Sequence, residues 1–262
     1  MTMAKRLCAL VSCDDSGRPR VPFRKGGMEI DFIEAVAHHL ANDGADEVWL
    51  RLDPVLEGAR GAKALYAPLG VLERRTFVPV VAWAHAPSPA DARLLLGFGA
   101  DRVVVDAHLG LPDPAGFIAR VVQTTGPDRV TAALTVRRFV GDKEVFWELV
   151  DAQGKGTGID AILLAERVVA VGACEILLVP SVLAPQSERL IHDGELIERV
   201  SSFSSIPVLS TGDDRELADI ATPLLMGADG AVTSLFSTGN PTITEGKKAL
   251  AEYGLALRSR DG

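Results

Sequence analysis

"GADEVWL", residues 44–50, joins a helix-like stretch to a strand-like one. The same opening returns as "GADRVVV" from Gly99, "GACEILL" from Gly172 and "GADGAVT" from Gly227. Gly44 and Gly99 lie 55 residues apart, as do Gly172 and Gly227, and the second pair is offset from the first by 128. "VPV" at Val78 and "IPV" at Ile206 share that offset of 128. Two landmarks with one offset argue for a duplicated half-chain. Before Gly44, the residues Ile30, Ile33, Val36, Ala37 and Leu40 fall on one helical face. Glycine then takes the left-handed turn that closes a helix, and a short apolar strand follows. Pro79 and Pro207 stand at strand starts, where a missing N–H is tolerated.

Working outward, strands are predicted near 6–12, 47–52, 78–84, 102–107, 130–137, 175–181, 207–211 and 230–235, with amphipathic helical segments between them. A hairpin-like insert, "KEVFWELVDAQGKGTG", follows the fifth strand. Eight strand–helix units with internal two-fold symmetry fit an α/β fold, a single (β/α)8 TIM barrel over 1–262 with half-barrels of about 1–127 and 128–262. An open doubly wound sheet explains the alternation but not the duplication, and no GxGxxG follows the first strand.

Composition narrows the function classes. The net charge is −8, the wrong sign for a general binder of phosphate backbones, so no nucleic-acid partner is expected. No 18-residue apolar stretch and no signal-peptide layout occur, so the expected setting is cytoplasmic, away from membranes. Cys8, Cys13 and Cys174 have neither zinc nor redox spacing and read as reduced thiols.

"AKRLCALVSCDDSGR", "GACEILLVPS" and "IPVLSTGDDRELADIATPLLMGADGAVTSLF" resemble the cyclase subunit of imidazole glycerol phosphate synthase, over about Lys5 to Arg258. The resemblance implies a (β/α)8 barrel of histidine biosynthesis. It also implies two catalytic aspartates at the ends of the first and fifth strands, and here those places hold Ser12 and Thr135. A hydroxyl is no general base near neutral pH. Asp14 and Asp15 lie close to Ser12, and nothing comparable stands beside Thr135.

The family's substrate carries two phosphates, held by glycine-rich loops and small polar residues. In this chain the third strand ends in "AWAHAPS", with Trp83 and His85, and the fourth in "VVDAH", with Asp106. The sixth is followed by Pro185, which has no N–H, and the seventh by Gly212 and then Asp213. Thr233 and Ser234 keep a phosphate-ready character. A carboxylate 4 Å from a phosphate charge costs about 4 kcal/mol at an effective dielectric of 20. The resemblance therefore implies a changed small-molecule ligand, with Ser12, Asp14, Arg51, Thr135, Arg137, Thr211, Gly212, Thr233 and Ser234 as its candidate contacts. The loop at 23–32, with Gly26 and Gly27, matches a mobile cover in the family, and Arg20 or Lys25 stands near the place of its lysine.

At the opposite mouth the family has a charged ring through which ammonia enters from a glutaminase subunit. Arg6, Glu47, Arg102 and Glu175 match that ring, and Asp101 matches a partner-facing acid. A salt-bridged ring also serves stability alone. No glutaminase-type partner is expected once the acceptor site has changed.

Strand periodicity places Asp53, His85, Asp106 and His108 near the ends of the second to fourth strands. Three readings stay open: acid–base chemistry by an Asp–His pair, a divalent metal site, or a polar mouth without catalysis. No cofactor is expected. The function that follows is a small-molecule enzyme of carbon–nitrogen lyase or cyclase type. The rivals are a non-catalytic paralogue that binds a partner or ligand, and the histidine-pathway cyclase itself. His38 and His39 read as solvated surface, and Arg137 and Arg138 as ligand contacts or strand-end caps.

Overall fold

A computed structural model describes residues 4–14, 16–25, 28–52, 65–84, 88–140, 145–181 and 191–259. Eight parallel strands form the wall of a closed barrel: β1 (Arg6–Cys13), β4 (Glu47–Leu52), β5 (Val80–Trp83), β6 (Arg102–Asp106), β7 (Val130–Val140), β10 (Glu175–Pro180), β11 (Val208–Thr211) and β12 (Gly230–Thr233). Each pairs with the next, β12 pairs with β1, and β7 pairs with β10 to complete the ring. Helices α1 (Ile33–Asn42), α2 (Tyr66–Leu72), α3 (Pro89–Gly97), α4 (Pro114–Thr125), α5 (Ala161–Ala170), α6 (Gly194–Phe203), α7 (Leu217–Leu225) and α8 (Ile243–Glu252) alternate with them. This is the (β/α)8 barrel that the repeat predicts.

Two hairpins are added to the plan. β7 runs on past the barrel rim and pairs antiparallel with β8 (Val145–Val150), which pairs with β9 (Gly156–Asp160). This is the insert expected after the fifth strand. The loop after β1 contains a smaller hairpin, β2 (Phe23–Lys25) with β3 (Met28–Ile30), where the sequence suggested only a long loop. Ile30 belongs to that hairpin and not to α1.

Strand alternation sorts the core into two layers. Leu7, Ala9, Val11 and Cys13 of β1 face the helices, while Cys8 and Leu10 join Trp49, Val81, Trp83, Val104, Ala133, Leu177, Val179, Leu209 and Val232 inside the barrel. The helices start on local signals. Ser88, Asp113 and Asp160 cap α3, α4 and α5 with side-chain oxygens, and α8 begins with a Thr242–Glu245 capping box.

The repeated tripeptide has a physical reason for each letter. Gly44, Gly99, Gly172 and Gly227 all have φ between +90° and +113°, a backbone that glycine adopts readily. Ala45, Ala100, Ala173 and Ala228 are buried, with room for little more than a methyl. The aspartate then clamps the preceding barrel strand. Asp46 accepts the Leu7 N–H at 2.7 Å, Asp101 that of Val80 at 2.8 Å, and Asp229 that of Val208 at 2.9 Å. In return, the backbone N–H of each aspartate donates to the carbonyl of the same residue, at 3.0, 2.8 and 2.7 Å. Cys174 keeps the backbone half of the clamp and turns its thiol to the same Val130 carbonyl, at 3.1 Å. Burial, with Glu175 adding to it, pushes that thiol up to about 11, so it stays a neutral, weak donor.

Asp229→Ala should therefore cost about 1–3 kcal/mol, the penalty for stranding a strand N–H. Cys174→Ala should cost distinctly less. Urea denaturation of the two variants makes the comparison, and equal losses would contradict the clamp.

Candidate functional site

The C-terminal ends of the strands form the mouth. Trp83 closes β5 and Asp106 closes β6, both on the inward face. The Trp83 indole N–H lies 3.3 and 3.4 Å from the two Asp106 carboxylate oxygens. Arg51, at the end of β4, places its guanidinium carbon 4.2 Å from the centre of the same indole, within cation–π range. One aromatic ring thus carries a cation on its face and an anion at its edge. Trp49 lies one layer deeper, edge-on to Trp83 at 6.5 Å, and fills the axis below the mouth.

The other expected mouth residues divide. Ser12, Thr135 and Ser234 are half-buried at their strand ends, and Thr211 is buried on the face that it shares with Leu209. Gly212 follows β11, half-buried. Thr233 is buried on the opposite face of β12 from Val232, and its hydroxyl accepts the Leu235 N–H at 3.1 Å. Asp14 accepts the N–H groups of Ser16 and Arg18, both at 2.9 Å, and so organises its own loop. Arg137 forks onto Glu148 of the β8 hairpin at 2.6 and 2.8 Å. Burial would raise the Glu148 carboxyl, but Arg137 and the Gly158 N–H outweigh it and hold the group below the usual range. Arg138 pairs with Asp193 and Glu195. His108 sits half-buried in a 3-10 turn, Ala107–Gly110, directly after β6. His38 and His39 are half-buried rather than solvated: His38 contacts Asn42, and His39 meets the Phe23 ring edge-on. Asp53, His85, Asp15, Gly26, Gly27 and Pro185 lie outside the described residues. Among the described residues no group of three or more His, Cys, Asp or Glu side chains is placed to hold a metal.

At the opposite end, the four ring residues form one buried ionic cluster. Arg6 meets Glu47 at 2.7 Å and Glu175 at 2.5 Å, and Arg102 meets the same two carboxylates at 2.5 and 3.2 Å. Thr131 and the Trp49 indole donate to the same Glu175 and Glu47 oxygens that Arg102 contacts, both at 3.0 Å. Burial favours protonation of Glu47, but Arg102 and Arg6 win and hold its carboxyl low. Burial and the neighbouring Glu47 push the Cys8 thiol well up, which leaves it neutral.

No protein-family model matches the chain. Curated relatives do match, among them two each named as imidazole glycerol phosphate synthase subunit HisF. The protein of Leifsonia xyli subsp. xyli is 32% identical over 237 residues, covering 90% of this chain and 89% of its own. That of Streptomyces griseus subsp. griseus is 32% identical over 219 residues, covering 82% and 83%. The chain belongs to the HisF family.

Within this HisF-family barrel, one further polar cluster escaped sequence reasoning. His192, Ser210 and Asp214 lie buried and mutually hydrogen-bonded between the barrel wall and the helices. Only the spacing of Ser210 and Asp214 around a strand end hinted at it. Nothing in the sequence ties His192 to them. Among the described residues no helix is long and apolar enough to cross a membrane.

The ring yields a stability test. Arg6→Met leaves two buried carboxylates sharing Arg102 and should cost about 3–5 kcal/mol in urea denaturation. Glu47 titrates below its ordinary value of 4.5, so its contribution is full above that value and disappears as the pH falls through its lower folded value. Glu47→Gln should flatten the acid limb of the stability profile.

Proposed function

We propose that this HisF-family barrel acts on a small metabolite other than the family's bisphosphate, by carbon–nitrogen lyase or cyclase chemistry. The observation that carries this reading is the Arg51–Trp83–Asp106 arrangement. It puts a bulky indole and a carboxylate where the family holds phosphate, and a second phosphate-ready hydroxyl, Thr233, is engaged by the backbone. Ser12 and Thr135 supply hydroxyls at the places of the family's aspartates. Asp106, on the inward face and oriented by the Trp83 N–H, is the carboxylate nearest the indole. It would act as the proton-transfer group, and Arg51 would position an anionic or carbonyl oxygen of the ligand. General acid–base catalysis of this kind contributes about 10²–10⁴-fold.

A second reading is favoured by a separate observation. Phe77 is fully exposed on the ring-bearing face, and lines one shallow hollow with Asp101 and Arg129. An apolar side chain held in water there suits a protein partner, as a non-catalytic paralogue or a synthase subunit would need. The Asp101 carboxylate is already engaged as a strand clamp, so it is a weaker candidate for that contact than its sequence position suggested.

Given the family's bisphosphate substrate and ammonia, the purified protein should show no cyclisation above background. Ser12→Asp with Thr135→Asp should restore little. Ligands found by thermal-shift screening should lose their stabilisation in Trp83→Ala, and any turnover should fall at least about 100-fold in Asp106→Asn. Robust cyclisation by the wild type would refute the changed-substrate reading. A ligand-free protein that co-purifies with a partner through Phe77 would favour the second.

A further inference from the structure

Leu209 of β11 faces the barrel axis, so Ser210 faces outward, beneath the helix layer. Its hydroxyl oxygen lies 2.7 Å from His192 Nδ1, and His192 Nε2 lies 2.8 Å from Asp214 Oδ1. A carboxylate accepts hydrogen bonds and cannot donate them when ionised. Nε2 therefore carries the ring proton, and Nδ1 offers its lone pair to the Ser210 O–H. That tautomer leaves a lone pair facing the serine, as a general base requires, with the two ring nitrogens exchanged relative to the usual serine triad. The Asp214 side chain is 1% exposed, and its second oxygen, Oδ2, has no hydrogen-bond partner among the described residues.

A purely structural relay has no need to open onto space. This one does. Ser210 lines a cavity of about 70 Å³ whose walls include Arg138, Trp147, Leu178, Pro180 and Ile191. The serine itself is only 1% exposed, and among the described residues this cavity is the space that it lines. A space of this size suits a short acyl group better than a long chain. Trp147 is fixed by its indole N–H on Asp193 at 2.6 Å, which keeps the aromatic wall in place.

We propose that Ser210, His192 and Asp214 form a second reactive site, a serine nucleophile for short-chain activated esters, separate from the barrel mouth. The Ser210 oxygen attacks the ester carbonyl carbon and forms a new C–O bond, while its proton passes to His192 Nδ1. The tetrahedral adduct collapses, the bond to the leaving oxygen breaks, and that oxygen takes the proton from His192. Water then attacks the acyl-serine with His192 again accepting a proton. The carboxylic acid leaves and the hydroxyl is restored. Asp214 stays ionised and holds the imidazole. No oxidant or reductant enters either step.

The full-length protein, mixed with p-nitrophenyl acetate, should release nitrophenolate and gain an acetyl group that peptide mass spectrometry places on Ser210. Ser210→Ala, which deletes one hydroxyl, should abolish that adduct. His192→Gln should slow acylation at least about 100-fold, and Asp214→Asn comparably. p-Nitrophenyl decanoate should leave Ser210 unmodified. An unmodified Ser210 in the acetate-treated wild type, sampled by acid quench in the first turnovers, together with no nitrophenolate release above buffer, would overturn the proposal. So would nitrophenolate release by Ser210→Ala at the wild-type rate, a deciding variant because its fold is the least disturbed. Because these readouts do not involve the mouth, they stand or fall independently of Asp106.

Discussion

A carboxylate that grips the first N–H of a neighbouring strand sets the stagger of this barrel. In a parallel barrel, a slip of one residue exchanges every inward side chain for an outward one. The Gly-Ala-Asp corner resists that slip at two hydrogen bonds per clamp, one from the side chain and one from the backbone. With the register held, Arg6, Glu47, Arg102 and Glu175 arrive at one level and neutralise each other. Trp49 and Trp83 stack above them on the axis, and Asp106 reaches the rim beside Trp83. The position of each polar group depends on where its strand was made to begin.

The β8–β9 insert extends this logic beyond the wall. It is tied back by Arg137 to Glu148 and by Trp147 to Asp193, one ion pair and one hydrogen bond from neighbouring residues of β8. The cost of ordering an added hairpin is offset by apolar burial, since Trp147, Leu149 and Val150 are withdrawn from water. The insert thereby contributes Trp147 to the wall of a cavity beside the ends of β7 and β10.

The eight strands were legible because each repeat carries a helix stop, a small buried residue and an apolar strand in fixed order. The repeated aspartate was legible as a pattern, but its role was not: a side chain that bonds across to the preceding strand leaves no periodic trace. At the mouth, Trp83, Asp106 and Arg51 were placed by strand alternation alone, since inward positions follow from a period of two. Alternation says nothing of residues beyond the strand ends, which is why the part Asp14 plays in folding its own loop went unread. The same blindness hid His192. It precedes α6 in irregular backbone, 18 residues from Ser210, and only the fold makes them neighbours.

The two tryptophans on the barrel axis have a consequence for how such a protein can change. Among the described residues the rim and the charged floor are joined through two nearly perpendicular indoles, Trp83 bonded to Asp106 above and Trp49 bonded to Glu47 below, with only an aromatic edge contact between them. Substitutions at the two ends are then expected to combine almost additively, coupled only through that one aromatic contact. The rim is free to explore new ligands without disturbing the ionic floor that keeps the barrel shut, and the floor can drift toward or away from a docking surface without touching the rim. A scaffold insulated in this way can lose one ancestral trait at a time.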